Sequence, residues 1–253
     1  MRIRVIPSLL IHKGGLIKSV QFKNYKYVGD PINAVKIFNE KEVDEIAVID
    51  IDATRDNRPP NFEVIAEIAS EAFMPMAYGG GITKLEEVKK ILLSGFEKVI
   101  INKSLHTNLN LVTQSANLVG SQSVVASIDV KKGLFGGYKV YTDNGKNSTK
   151  LSPIDFAKTV ENAGAGEILV NNIDADGTYK GYDINLIKEV ASSVNIPVIA
   201  IGGASCVEDF AKAKQAGASA VSAGSMFIFQ RPHQAVLISY PTQKELKQKL
   251  FKV

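Results

Sequence analysis

The sequence predicts an α/β fold, a single (β/α)8 barrel of the TIM type built from two similar half-barrels. Eight short apolar runs alternate with eight amphipathic helical stretches along the 253 residues, a pattern typical of a parallel sheet buried on both faces. No Pro-, Ser- or Gly-rich linker interrupts the alternation, and the length fits one barrel. We therefore expect one domain over residues 1–253, with half-barrels at about 1–120 and 121–253.

Each element follows from hydrophobic periodicity. Strands are expected at 4–10, 45–51, 74–79, 98–102, 123–129, 167–172, 196–201 and 219–223. Helices are expected at 31–42, 61–71, 84–94, 107–118, 153–164, 183–192, 205–216 and 242–251. The two longest connections, residues 12–30 and 130–152, follow strands one and five and contain several glycines and lysines. They are either lids or surface hairpins, and their position above the C-terminal ends of the strands favours lids.

An internal repeat favours two half-barrels. Residues 45–53 align without gaps to residues 167–175, an offset of 122 positions. At the same offset Gly80 meets Gly202 and Gly81 meets Gly203. A repeat of this length indicates two halves of four βα units rather than an open, doubly wound sheet.

Composition points away from several functions. The net charge is +4, and the chain has no block of basic residues that could follow a nucleic-acid backbone. Its apolar start is too short to cross a bilayer, and the single cysteine, Cys206, suits a reducing cytoplasm. His12, His106 and His233 are far apart in sequence, and we expect them at the surface or in loops. We expect a cytoplasmic protein without a metal ion, cofactor, nucleic-acid partner or membrane partner.

Glycine-rich turns at the predicted strand ends indicate phosphate binding. Glycine allows the backbone to approach a ligand closely and to direct N–H groups at an anion. One site would combine the turn after strand three with Asn102, and the other would combine the turns after strands seven and eight. The residues concerned are Gly80, Gly81, Asn102, Gly202, Gly203, Gly224 and Ser225. The alternative is that these glycines serve only tight βα turns.

Carboxylates also fall at the strand ends. Asp50, Asp129, Asp174 and Asp176 lie at or just beyond strand C-termini, where acids of barrel enzymes act in catalysis or orient ligands. Asp176 with Gly177 is also compatible with an ordinary turn. Strand five ends in Asp129, whereas strand one places Leu10 at the equivalent position. Chemistry that needs an acid and a base on opposite sides of the mouth would therefore lack one of them.

Four charged residues begin otherwise apolar strands at the opposite end, the floor of the barrel. Two are basic and two acidic, and they come from strands one, two, four and six: Arg4, Glu45, Lys98 and Glu167. Charges at a barrel floor must be paired or hydrated. Sequence alone leaves both possibilities open.

Together these motifs resemble the cyclase (synthase) subunit of imidazole glycerol phosphate synthase, over essentially the whole chain. The resemblance implies a glutaminase partner at the barrel floor, with ammonia passing through the barrel to the mouth. It makes the four floor charges an ammonia gate and Lys18 a substrate-holding lysine, beside binding residues Asp50, Asp176 and Gly177. The motifs that carry it are Val28–Pro31, Gly79–Ile82, Gly164–Leu169, Asp174–Thr178 and Gly181–Asp183.

The departures from the family are as informative. Asp129 matches one of its two catalytic aspartates, and Leu10 replaces the other. Lys103, Asn171 and Ile201 stand where the family has small hydroxyl residues. These losses, with segments 50–55 and 232–241, resemble a paralogous branch that is linked to acetamidino groups on bacterial surface-polysaccharide sugars. That branch works with a glutaminase and an ATP-dependent amidotransferase.

Three functions are compatible with these features. The first is a barrel that receives ammonia from a glutaminase for amidination of an acetamido sugar. The second is a working cyclase subunit, which joins ammonia to the phosphoribulosyl aminoimidazole carboxamide nucleotide. The third is the related sugar-phosphate isomerase with the same half-barrel repeat. Leu10 counts against the second and third, and the floor charges favour the ammonia-using branch.

Overall fold

Eight parallel strands form a closed barrel. The computed structural model describes residues 2–133, 136–230 and 232–251, and the other positions of the predicted domain 1–253 lie outside the described residues. The barrel strands are β1 (Arg4–His12), β2 (Ile46–Asp50), β3 (Met76–Gly79), β4 (Lys98–Ile101), β5 (Val124–Lys132), β6 (Glu167–Asn172), β7 (Val198–Ile201) and β8 (Ala220–Ala223). Each strand pairs in parallel with the next, and β8 pairs with β1. The predicted (β/α)8 barrel is confirmed.

Helices between the strands cover the barrel. They are α1 (Pro31–Glu40), α2 (Phe62–Glu71), α3 (Leu85–Leu93), α4 (Asn110–Val119), α5 (Pro153–Asn162), α6 (Ile184–Ala191), α7 (Val207–Gln215) and α8 (Gln243–Leu246), which continues as a π-helical turn over Lys247–Phe251. Asp30 and Ser152 cap α1 and α5, each followed by a proline at the first helical position, which is a favourable helix start. Among the described residues, no helix has the length and apolarity that crossing a bilayer requires.

An apolar layer fills the middle of the barrel. It takes one inward-facing residue from each strand: Ile6, Ala47, Ala77, Ile100, Val125, Leu169, Ile199 and Ala220. Because side chains alternate along a strand, residues two positions away share the inward face. On β1 the inward residues therefore run from Arg4 at the floor through Ile6 to Ser8 and Leu10 at the mouth.

The two long connections form antiparallel hairpins that extend β1 and β5. In the first hairpin, Gly15–Val20 pairs with β1 and with Lys23–Gly29. In the second hairpin, Tyr138–Thr142 pairs with β5 and with Asn147–Ser148; residues 134 and 135 lie outside the described residues. Sequence periodicity located these segments at the mouth but did not reveal their strands. It also missed the one-turn helices Ile51–Arg55, Ser104–Thr107 and Ser225–Ile228, which are too short for a periodic signal.

Gly80 has a packing requirement that can be tested. Its φ is +124°, and a Cβ there would lie 2.4 Å from the Asp50 carbonyl oxygen. Gly14 also has a positive φ, +78°, but no atom within 4 Å of its Cβ position. Both alanine variants should lose about 1–3 kcal/mol from backbone strain. Gly80→Ala should lose roughly a further 1–3 kcal/mol because the backbone must move. Equal urea midpoints for the two variants would contradict this expectation.

Candidate functional site

Two adjoining cavities open at the C-terminal ends of the strands. The larger has a volume of about 430 Å³ and the smaller about 50 Å³, and Leu10 lines both. The larger is lined by residues predicted from the first half and β5: Asp50, Gly80, Gly81, Asn102 and Asp129. The smaller is lined by the predicted residues Lys18, Asp176, Gly177, Gly202, Gly203, Gly224 and Ser225. The fold thus brings the candidate binding residues together at the mouth, in two groups.

Asp129 is the best-placed acid–base group. It lies at the end of β5 and is 8% exposed. Amide groups of Asn102 and Asn171 donate to its two oxygens over 3.1 and 3.2 Å. Burial raises the pKa of Asp129 to about 7, although both amides act to lower it. A carboxyl group with a pKa near neutrality can both donate and accept a proton.

The raised pKa of Asp129 makes stability depend on pH. Because the folded-state pKa lies above the ordinary value of 3.8, the folded protein holds this proton more tightly than the unfolded chain. Its contribution to stability is present below about pH 4 and is lost as the pH rises through about 7. Relative to Asp129→Asn, the wild-type protein should lose about 3 kcal/mol of unfolding free energy between pH 5 and pH 8. Urea titrations of both proteins measure this; a constant difference would mean that the pKa of Asp129 is ordinary.

Among the described residues of β1 and β2, Asp50 is the only carboxylate that lines the cavity shared with Asp129. Leu10 pairs with Ile49 on the neighbouring strand and gives that side of the mouth an apolar wall. Asp50 lines the cavity, but its carboxylate accepts two hydrogen bonds from Arg58 over 2.8 and 2.9 Å. It also accepts the Asp52 and Ala53 N–H groups and caps the short helix that follows β2. Asp50 is therefore occupied in holding the cavity wall.

Lys18 and Asp176 form the charged part of the smaller cavity. Lys18 is 3% exposed, and its ammonium donates to the Ser8 carbonyl oxygen. Burial lowers the pKa of Lys18 to about 8, with Asp176 acting in the opposite direction. Burial also raises the pKa of Asp176, whose Oδ2 accepts from the Ser19 hydroxyl over 2.9 Å.

Two polar atoms at this cavity have no hydrogen-bond partner among the described residues. They are Ser8 Oγ and Asn171 Oδ1, and both residues line the cavity beside the Lys18 ammonium. A buried polar atom without a partner is destabilising, so such atoms often mark a ligand position. Gly202 and Gly203 have a separate packing reason: a Cβ there would lie 2.5 and 2.3 Å from neighbouring carbonyl oxygens. Phosphate binding by these residues remains a prediction.

Lys103 joins the larger cavity to the second hairpin. It lines the cavity, and its ammonium lies 3.0 Å from a carboxylate oxygen of Asp143 in the hairpin turn. The neighbouring Asn144 also lines the cavity and donates to the Ile51 carbonyl oxygen over 3.4 Å. This hairpin therefore reaches across the mouth from β5 towards β2 and β4. Sequence reasoning noted Lys103 only as a departure from the family pattern.

Asp174, in contrast, accepts the Lys132 N–H over 2.8 Å, and it holds the second hairpin without lining either cavity.

Among the described residues, no group of three or more His, Cys, Asp or Glu side chains is arranged to hold a metal ion.

The histidines were expected at the surface or in loops, and two of them are only partly exposed. His12 is half-buried at the end of β1, with Nδ1 2.7 Å from Asp52 Oδ1. His106 is also half-buried and stacks on Phe156 at a centroid distance of 4.5 Å. His12 contacts Tyr25 of the first hairpin and Asp52 of the short helix Ile51–Arg55, and His106 lies on the short helix Ser104–Thr107. His233 is exposed.

At the other end of the barrel, the four floor charges form a closed ring, here called the floor ring. Arg4 donates to Glu45 and, over 2.5 Å, to Glu167. Lys98 Nζ lies 3.1 Å from Glu45 and 3.0 Å from Glu167. Burial lowers the pKa of Arg4, but the two glutamates raise it by more, so the guanidinium stays charged. The four charged side chains are therefore paired with one another and are not four separately hydrated strand starts.

Comparison with known proteins agrees with this geometry. Residues 4–232 match the family described as Histidine biosynthesis protein. The chain is 52% identical over 247 residues to a Pseudomonas aeruginosa protein provisionally named imidazole glycerol phosphate synthase subunit hisF2 (97% of this chain, 98% of the relative). It is 46% identical over 252 residues to the provisionally named subunit hisF3 of Vibrio vulnificus (99% and 97%). It is 39% identical over 251 residues to the imidazole glycerol phosphate synthase subunit HisF of Petrotoga mobilis (99% and 96%). The chain belongs to the histidine biosynthesis protein family and is a HisF-like barrel of the imidazole glycerol phosphate synthase cyclase type.

Proposed function

We propose that this barrel receives ammonia from a glutaminase subunit at its floor and delivers it at its mouth for amidination of an acetamido sugar. An ATP-dependent amidotransferase is the proposed acceptor. The observation that carries the proposal is a complete floor ring in the same barrel as an incomplete acid–base pair at the mouth. The entrance has kept every charge that the family resemblance calls for, whereas Leu10 has replaced a reacting group.

The strand register supports a path for ammonia. Each ring residue is followed two positions later on the same inward face by a member of the apolar layer: Ile6, Ala47, Ile100 and Leu169. Neutral ammonia can pass an apolar layer, whereas ammonium would have to lose its hydration there. The ring therefore lies where a partner could release ammonia into the barrel, and the apolar layer would select the neutral form.

The proposed acceptor supplies the chemistry that the mouth lacks. Turning an acetamido group into an acetamidino group replaces the amide oxygen with nitrogen, so the oxygen must first be activated. An enzyme that uses ATP can transfer a phosphoryl or nucleotidyl group to that oxygen and make it a leaving group. The barrel then has only to deliver ammonia, a role that does not need a carboxylate at position 10.

A second candidate function is the cyclase reaction itself, and the state of Asp129 favours it. A carboxyl group with a pKa of about 7 can act as acid and base in turn, and two cavities could each hold one phosphate group of the nucleotide. Losing one acid–base partner typically costs about 10²–10⁴-fold in rate, so weak turnover is compatible with this candidate. An assay with the nucleotide and ammonium salts separates the two functions. Turnover near that of an ordinary cyclase subunit would favour the cyclase reaction over ammonia delivery as the function of this barrel.

The glutaminase interaction can be measured directly. Mixing the barrel with a candidate glutaminase should give a stable complex and faster glutamine hydrolysis. Lys98→Glu, which puts three acids into the floor ring, should weaken both effects. Lys158→Glu is a matched control because Lys158 is exposed on α5, outside the ring. A wild-type barrel that forms no complex and does not stimulate hydrolysis would refute the proposed function.

A further inference from the structure

The two hairpins above the mouth concentrate positive charge. Residues 12–30 and 130–152 contain nine lysines and two aspartates, a net charge of +7. The whole chain carries only +4, so the remainder has a net charge of −3. The excess positive charge of the chain therefore lies in these two hairpins at the mouth, here called the positive end.

Seven of these lysines, here called the hairpin lysines, are exposed: Lys13, Lys23, Lys26, Lys132, Lys139, Lys146 and Lys150. Among the described residues, none of the seven has a carboxylate within 4.0 Å, and none lines either cavity. They are not placed to bind a small molecule inside the mouth. Within each hairpin, like charges that no carboxylate neutralises repel one another, and a partner of opposite charge would relieve the repulsion.

The first hairpin adds apolar anchors to this charge. Tyr27 is 68% exposed, Val20 41% and Tyr25 37%. Strand Lys23–Gly29 pairs only with Gly15–Val20 among the described strands, so its outer edge is open. Exposed aromatic residues surrounded by charged groups are typical of protein–protein interfaces. Lysines on an open strand edge can also prevent aggregation. This explains Lys23 and Lys26 but not the lysines of the second hairpin.

We infer that the two hairpins form a docking surface for an acidic protein that covers the mouth and consumes the ammonia delivered there. The inference rests on the proposed function for the identity of that partner. Because β1 and β5 lie opposite each other in the barrel, a body seated between their hairpins closes the mouth. Closure has a chemical reason: ammonia that escapes into water at neutral pH takes up a proton and is no longer a nucleophile. An acidic partner would also be attracted to the positive end and away from the acidic remainder.

Zero-length carbodiimide cross-linking tests the inference, because it joins lysine amines only to carboxylates in direct contact. The wild-type barrel is mixed with the glutaminase and the ATP-dependent amidotransferase and then cross-linked. We expect the hairpin lysines to be joined to carboxylates of the amidotransferase. Cross-links from the amidotransferase to floor residues alone, or no amidotransferase cross-links, would overturn the inference.

Charge variants make the test quantitative. Lys13→Gln, Lys23→Gln and Lys26→Gln together should slow association with the amidotransferase about tenfold and reduce its dependence on salt. The control is Lys89→Gln, Lys158→Gln and Lys188→Gln, which removes three exposed lysines from outer helices. Equal rates for the two triple variants would reject the docking surface. A barrel that does not bind the amidotransferase but binds duplex DNA tightly through the hairpin lysines would also reject the docking surface.

Glutaminase binding separates this inference from the proposed function. Both triple variants should bind the glutaminase as the wild type does, because the hairpins are at the opposite end of the barrel. If the wild-type barrel did not bind the glutaminase, the result would count against the proposed function. Normal glutaminase binding with an amidotransferase that ignores the hairpins would count against the docking surface alone.

Discussion

Leu10→Asp is expected to raise cyclase turnover of the phosphoribulosyl nucleotide by about 100-fold or more over the trace level of the wild type. Leu10 lines both cavities and is on the strand opposite Asp129. An aspartate there would restore a second proton-transferring group across the mouth. Lys18, which lines the smaller cavity with it, would supply a compensating positive charge. Initial rates with ammonium salts measure the effect without any partner.

Two controls show whether the carboxyl group is responsible. Leu10→Asn introduces a side chain of the same shape that cannot transfer a proton, and it should leave the rate unchanged. Leu10→Asp combined with Asp129→Asn should also remain at the trace level, since the two groups act together. A flat result for Leu10→Asp itself would show that Lys103, Asn171 and Ile201 have already changed the pocket beyond repair by one residue.

The barrel could be predicted from sequence because its strands carry two independent signals. The apolar runs indicate buried parallel strands, and the repeat from 45–53 to 167–175 favours two halves of four βα units. The hairpins could not be predicted in the same way. Their strands, such as GLIKSV and KNYKYVG, have no sustained apolar–polar alternation, so hydrophobic periodicity does not mark them as strands.

The site was predictable where it depends on position along a strand. Strand ends converge at the mouth, so Asp129 and the glycine turns were expected there. The floor charges were expected at the other end, although sequence left open whether they pair. What sequence cannot give is the partner of each group. Asp50 looked free to bind substrate, yet Arg58 and two backbone N–H groups hold it. The pair of Lys103 with Asp143 depends on the hairpin fold and has no sequence signal.

Breaking the floor ring should uncouple glutamine hydrolysis from use of the ammonia. Lys98→Met keeps the length of the side chain but removes the charge that joins Glu45 to Glu167. These two acids, with side chains 4% and 11% exposed, would then share Arg4 alone. Because the ring is partly open to water, the expected loss of unfolding free energy is about 1–3 kcal/mol, below the range for fully buried pairs.

Lys98→Met should also change the source of the nitrogen that enters the product. The assay combines the barrel with the glutaminase and the ATP-dependent amidotransferase, and it supplies glutamine labelled with ¹⁵N at its amide together with unlabelled ammonium. With the wild-type barrel, the acetamidino product should contain mainly ¹⁵N. Lys98→Met opens the floor to exchange with solvent, so the labelled share should fall while use of free ammonium continues. Arg2→Met is the matched control: Arg2 pairs with Asp44 at the same end of the barrel but outside the ring, and its side chain is 52% exposed. If both variants kept the wild-type isotope ratio, ammonia would have to reach the mouth by a path that avoids the ring.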